Sequence, residues 1–171
     1  MTQGGGMITK LNPHFRYALF FFRHKLEVLK WSRKIRGCSL WRILCHDLSK
    51  LRWSEWGPHV HYFFGEQNTS TLEALDVAYM KHIHRNPHHF AHWVLVLPNA
   101  GVKCLRIPSP YREELLCDWL ARGETSGEDA ISWYVHHMQT IGLHPETRFY
   151  LETQLEFWRG SRGNGFKAKT Q

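Results

Sequence analysis

The chain has 171 residues, of which 43% are hydrophobic, with eight tryptophans and ten phenylalanines; this fits one domain with a real core and excludes intrinsic disorder. Its net charge of +7 is unevenly placed: residues 1–52 hold eleven Lys/Arg against two acids, residues 159–171 hold four against none, and 53–158 comes out at −6. A basic front and tail around an acidic centre point to an anionic partner or substrate, unless they are only solvated helix faces.

Residues 1–12, opening on MTQGGGMITK, read as a flexible leader, and 159–171 as a basic flexible tail. Between them, 13–158 is expected to be a single domain. The first helix is predicted from Pro13 to Arg36, ended by Gly37. It has one apolar stripe at Phe15, Leu19, Phe22, Leu26 and Leu29, and a second at Tyr17, Phe21, His24, Val28 and Trp31. Two apolar faces imply a sandwiched helix. Ser39 is the expected cap of a second helix that buries Trp41, Leu44, Leu48 and Leu51. A third spans about Ser54 to Phe64, with Pro58 in its first turn.

The next helix opens with an expected capping box, Ser70 and Glu73, and sets Leu72, Leu75, Tyr79 and His82 on one face. Pro87 should stop or kink it. The run HWVLVL-PNAG-VKCLRI reads as a β-hairpin. Helices resume with Ser109 as cap, Pro110 at the first position, two early glutamates and a closing Gly123. A further helix covers about Glu128 to Ile141, and a last one runs from near Pro145 to Trp158. The expected fold is all-α, a compact bundle of about six helices with one small hairpin.

Four cysteines (Cys38, Cys45, Cys104, Cys117) form no C-x-x-C pair, so no zinc finger is indicated. Without an export signal, reduced thiols and a cytoplasmic location are expected. The early apolar run Tyr17–Phe22 is too short to span a bilayer, and no membrane is expected among the partners. No nucleophile elbow and no phosphate-cradling glycine loop is present.

Metal-ligating residue types gather at His24, at the adjacent pair His46–Asp47, and at Asp118, on three separate predicted helices. Imidazole nitrogens and carboxylate oxygens suit divalent Mn, Fe, Co, Ni or Zn. Neighbours on a helix point about 100° apart, so an ion in the His46–Asp47 fork needs further ligands from other helices. Two blander readings stand beside this one. His24 is a core histidine with a hydrogen-bond partner, and Asp118 pairs with Arg122 at i,i+4.

The order His … His-Asp … Asp is that of the HD superfamily of metal-dependent phosphohydrolases. The local runs HKLEVLK, HDLSK, HIHRNPHHF, REELLCDWLARG and LHPETR resemble a family of small uncharacterised bacterial and phage proteins that look HD-like. The resemblance covers about residues 20 to 155. It implies an HD-like fold and His24, His46, Asp47 and Asp118 as ligands of a first divalent ion, which activates water or polarises a phosphoryl oxygen. Some HD proteins hold a second ion with extra histidines before the final Asp, which makes His84, His88 and His89 candidates here. Such two-metal proteins include phosphodiesterases and di-iron oxygenases.

Lys50, one turn beyond His46–Asp47, and Arg85, with its bidentate fork, are the expected phosphate anchors, and Asp47 joins them in the catalytic set. His82 is packed or ligating, His92 structural, and His144 a cap or brace for the last helix. His59, His61, His136 and His137 read as ordinary. The function expected is hydrolysis of a phosphate ester, on a nucleotide or nucleic-acid end, by metal-activated water with one or two ions. The alternatives are a non-catalytic module binding nucleic acid or protein, and a di-iron oxygenase.

Overall fold

The computed structural model describes residues 11–166, and side chains through 160. All but the end of the expected leader, and the tail from residue 167, lie outside the described residues. Among those described are seven α-helices and one two-stranded hairpin: α1 (Pro13–Ser32), α2 (Leu40–Cys45), α3 (Trp53–Phe64), α4 (Thr69–Arg85), β1 (Val94–Leu97), β2 (Gly101–Cys104), α5 (Tyr111–Ser126), α6 (Ala130–His137) and α7 (Pro145–Phe166). The last helix thus continues through the first residues of the expected tail. No described helix is long and apolar enough to cross a membrane.

The centre of the molecule is α5, whose residues from Glu113 to Ala121 are buried except Asp118. A helix covered on nearly all sides needs no polar face. Leu115 and Leu116 are fully enclosed, and each contributes about 1.5–3 kcal/mol by leaving water. Val28 and Trp31 of α1, Ile43 of α2, Tyr134 of α6, and Leu151 and Leu155 of α7 complete this core.

Only one face of α1 is buried. Tyr17, Phe21, His24, Val28 and Trp31 point inward. The stripe Phe15, Leu19, Phe22 and Leu26 stays in solvent, with Leu26 58% exposed, so α1 is not sandwiched.

The expected second helix breaks in the middle. It stops at Cys45, and after His46 the chain turns through Asp47 in the left-handed region (φ 58) into a short 3-10 helix, Leu48–Leu51. The break ends the helical periodicity on which the stripe Trp41, Leu44, Leu48 and Leu51 was read. All four are exposed, Trp41 by 74%. Ser39 precedes α2 but its side chain makes no capping bond.

Other boundaries shift with local chemistry. The capping box of α4 is Asn68 with Thr71, which exchange side-chain and backbone bonds at 2.9 Å, in place of Ser70 and Glu73. Pro87 does stop α4, which ends at Arg85. Gly123 lies inside α5 and Gly127 (φ 80) ends it. At Gly123 an added Cβ would meet Glu128 O at 3.0 Å and Ala130 N at 3.1 Å, so this glycine lets the α5–α6 turn approach closely. The hairpin pairs antiparallel, Val94 with Cys104 through Leu97 with Gly101.

Candidate metal centre

The site forms where α1, the α2 break, α4, the turn after Pro87 and α5 converge. Lys25, beside His24 on α1, places the break. Its Nζ donates to Leu44 O (3.0 Å) and His46 O (2.8 Å), filling carbonyls left open where α2 ends. Burial disfavours the ammonium there and lowers its pKa, although Asp47 opposes this. The left-handed turn at Asp47 then directs the His46 and Asp47 side chains inward, where both are about 1% exposed.

Four expected ligands come together. His24 Nε2 lies 2.9 Å from Asp118 Oδ1, and His46 Nε2 lies 3.7 Å from both Asp118 Oδ1 and Asp47 Oδ2. Asp118 therefore faces His24 and not Arg122, whose guanidinium sits over the Trp133 ring. His24 is buried, as a core histidine would be, but its partner is the Asp118 carboxylate of this cluster.

The other oxygen of Asp47 faces a second set of imidazoles. His82 Nε2 is 3.1 Å from Asp47 Oδ1 and His88 Nε2 is 3.4 Å away. His89 Nε2 lies 2.8 Å from His82 Nε2. Ligand atoms of Asp47, His82, His88 and His89 fall within 4.8 Å of one another, as do those of His24, His46 and Asp47.

Two carboxylates that sequence reasoning read only as helix-start charges, or passed over, orient these rings. Glu114 Oε1 accepts from His46 Nδ1 (3.0 Å) and from His88 Nδ1 (3.1 Å), while Arg42 holds its other oxygen at 2.6 Å. Glu55, fully buried, accepts from His82 Nδ1 (2.9 Å), from Ser49 Oγ (2.8 Å) and from Arg85 (2.6 Å). In each case the carboxylate takes Nδ1–H and leaves Nε2 turned into the centre. Carboxylate–histidine pairs of this kind fix the tautomer and raise ligand basicity. The signal available in the sequence was spacing: Glu114 is one helical turn before Asp118 on the same face of α5.

His84 and Arg85 correct the sequence reading. His84 is exposed and belongs to none of the clusters, because α4 turns His82 inward and His84 lies two residues on, across the helix. Arg85 spends its guanidinium on Glu55, behind His82. Lys50 pairs with Asp47 Oδ2 at the centre itself. His59 is a packing residue: it is buried, donates from Nδ1 to Glu55 O (2.7 Å) and stacks on Tyr17. His61, His136 and His137 are exposed. His92 bonds Ile83 O, and His144 Nδ1 accepts from Glu146 N at the start of α7, so both are structural.

The electrostatics favour cations. Burial opposes charge on His46, but Asp47, Asp118 and Glu114 outweigh it and push its pKa up to about 10. Burial likewise opposes the ionised Asp47, yet His46, Lys50, His82 and His88 hold it well below the usual carboxylate range. Burial beside His88 keeps His89 far below the usual histidine range, hence neutral and free to ligate. His46 Nε2, Asp47 Oδ1 and His88 Nε2 are buried without a hydrogen-bond partner. Buried ring-nitrogen and carboxylate lone pairs that converge without a proton donor are what a divalent ion satisfies, so the residues fit a metal centre.

Residues 14–156 match a family described as a family of unknown function, DUF5662. The chain belongs to DUF5662. No curated protein and no solved structure matches it. The match runs from the first turn of α1 into α7, so every residue of the candidate metal centre lies within it.

Proposed function

We propose that this DUF5662 chain is a two-metal phosphohydrolase of the HD type. The supporting observation is the position of Asp47, whose Oδ2 faces His46 and whose Oδ1 faces His82 and His88. One carboxylate with ligands gathered at each oxygen is suited to bridge two ions. His24, His46 and Asp118 would hold one with Asp47, and His82, His88 and His89 the other. Divalent ions bound there supply Lewis acidity toward a phosphoryl oxygen and lower the pKa of water.

The chain's own groups divide the remaining work. Glu114 and Glu55 hold the imidazoles in the ligating tautomer. Lys50, kept charged by Asp47 and Asp118 against its burial, stands at the centre as a point charge for a phosphoryl oxygen. Arg85 acts through Glu55 and is a positioning residue. Eleven Lys/Arg against two acids in residues 1–52 favour a polyanionic substrate, a nucleotide or a nucleic-acid end.

The test is metal content per chain, followed by a screen of phosphomonoesters and phosphodiesters with the Mn-, Fe-, Co-, Ni- and Zn-loaded protein. Two ions per chain and phosphate release lost in Asp47→Asn are expected. A protein that retains no divalent ion, or hydrolysis unaffected by Asp47→Asn, would sink the reading. Two irons with oxygen consumption and no phosphate release would replace it with an oxygenase.

A further inference from the structure

We propose that Cys38 and Cys117 are a dithiol modification site that closes to an intramolecular disulfide by exchange with a small-molecule disulfide such as glutathione disulfide. The two Sγ atoms lie 3.3 Å apart although the residues are 79 positions apart in sequence. A disulfide bond of about 2.05 Å needs only a little over 1 Å of further approach. That approach falls on the connection between α1 and α2, which carries Cys38 beside Gly37 (φ 93), while Cys117 stays fixed in the packed centre of α5.

The two thiols are unequal in the way exchange requires. Cys38 is half-buried and reachable, whereas Cys117 has no exposed surface. In the first step the Cys38 thiolate attacks one sulfur of the small disulfide. Its S–S bond breaks and one small thiolate leaves. In the second, Cys117 gives up its proton as its Sγ attacks Cys38 Sγ and expels the other small thiolate. The protein loses two electrons and two thiol protons, and the small disulfide becomes two thiols. Burial of Cys117 against Cys38 favours this closure over a standing mixed disulfide, because the resolving sulfur is already in contact.

The bond would fasten the α1–α2 connection to α5 between Glu114 and Asp118. It closes a long loop, so the oxidised protein should melt at a higher temperature. The inference stands on the thiol pair alone and does not depend on the metal centre or its reaction.

The full chain carrying Cys45→Ser and Cys104→Ser is incubated with glutathione disulfide, alkylated, and analysed by intact mass and peptide mapping. Loss of two hydrogens, a linked peptide pair containing Cys38 and Cys117, and a raised Tm reversed by dithiothreitol are expected. Further substitution of Cys117→Ala should leave a glutathione adduct on Cys38. Both thiols remaining alkylatable, or a stable glutathione adduct on Cys38 while Cys117 is present, overturns the proposal.

Discussion

His46 and His88 share a single carboxylate oxygen: Glu114 Oε1 lies 3.0 Å from one Nδ1 and 3.1 Å from the other, and their ring centroids are 4.3 Å apart. One glutamate therefore sets two rings, one in each ligand cluster. Glu114→Gln keeps the shape but loses the charge that supports both imidazoles. Apparent metal affinity should fall about 10–100-fold, as read by competition with a chromogenic chelator. An affinity within a factor of about two of the parent protein would show that Glu114 does not orient the ligands.

The pH dependence of the metal-free protein follows from two groups. Burial opposes ionised Glu114, but His46 and His88 hold its pKa near about 2, below the ordinary 4.5. Its contribution to stability is present above about 4.5 and is lost as pH falls toward about 2. His46 is raised from 6.5 to about 10, so its contribution is full below 6.5 and is lost as pH rises through about 10. The Tm of chelator-treated protein should therefore peak between these windows and decline on the alkaline side. Metal affinity should move the other way and rise with pH, because His46 must give up its proton to bind. An affinity independent of pH between 6.5 and 10 would contradict the role of His46 as a ligand.

Asp47 carries a backbone constraint as well as a charge. Its left-handed conformation suits Asp and Asn but strains Ala by about 1–2 kcal/mol. Asp47→Asn and Asp47→Ala should both lose the ions. Only the alanine variant should also carry the added strain, so its Tm should be the lower of the two. Equal melting temperatures would mean that the turn tolerates any residue.

Glu55→Ala removes the acceptor for His82, Ser49 and Arg85 at once. Leaving those groups without a partner should destabilise the chain by about 2–4 kcal/mol in urea denaturation. His84→Ala, on the exposed side of the same helix, should change stability by less than about 0.5 kcal/mol. If His84→Ala reduces the number of bound ions, the assignment of His82 over His84 is wrong.

The convergence of His24, His46, Asp47 and Asp118 was legible because a His-Asp pair and two distant partners, set among apolar residues, follow the order that the HD resemblance implies. The hairpin was legible from two short apolar runs around Pro-Asn-Ala-Gly. Glu55 and Glu114 were not, because a glutamate in the first turn of a helix already has a sufficient explanation in the helix dipole. Sequence spacing favours His84 over His82 because His82 completes an apolar stripe with Leu75 and Tyr79. In the fold Leu72 and Tyr79 of that stripe stay exposed, and the buried face of α4 is Ala78 and His82, which sets the ring against Asp47. The stripe Trp41, Leu44, Leu48 and Leu51 failed for a related reason: the functional pair interrupts the helix, and periodicity cannot be read across a turn that the chemistry demands.

Gly123→Ala tests the packing of the α5–α6 turn. Its Cβ would meet backbone atoms at 3.0 and 3.1 Å, and backbone yields less readily than a side-chain end. A loss of about 1–3 kcal/mol is expected despite the better helix propensity of alanine. A stabilised variant would show that α6 can move away without loss.

The arrangement of ligands along the chain also fixes when the centre can exist. His24 and Asp118, in contact at 2.9 Å, are 94 positions apart in sequence, and they meet only once α1 has packed on α5. The set His24, His46, Asp47 and Asp118 is therefore incomplete in any short fragment, and an ion held there would find its ligands only after that packing. Such an ion would be recruited by a finished scaffold, and scarcity of metal should leave an assembled protein in waiting rather than an unfolded one.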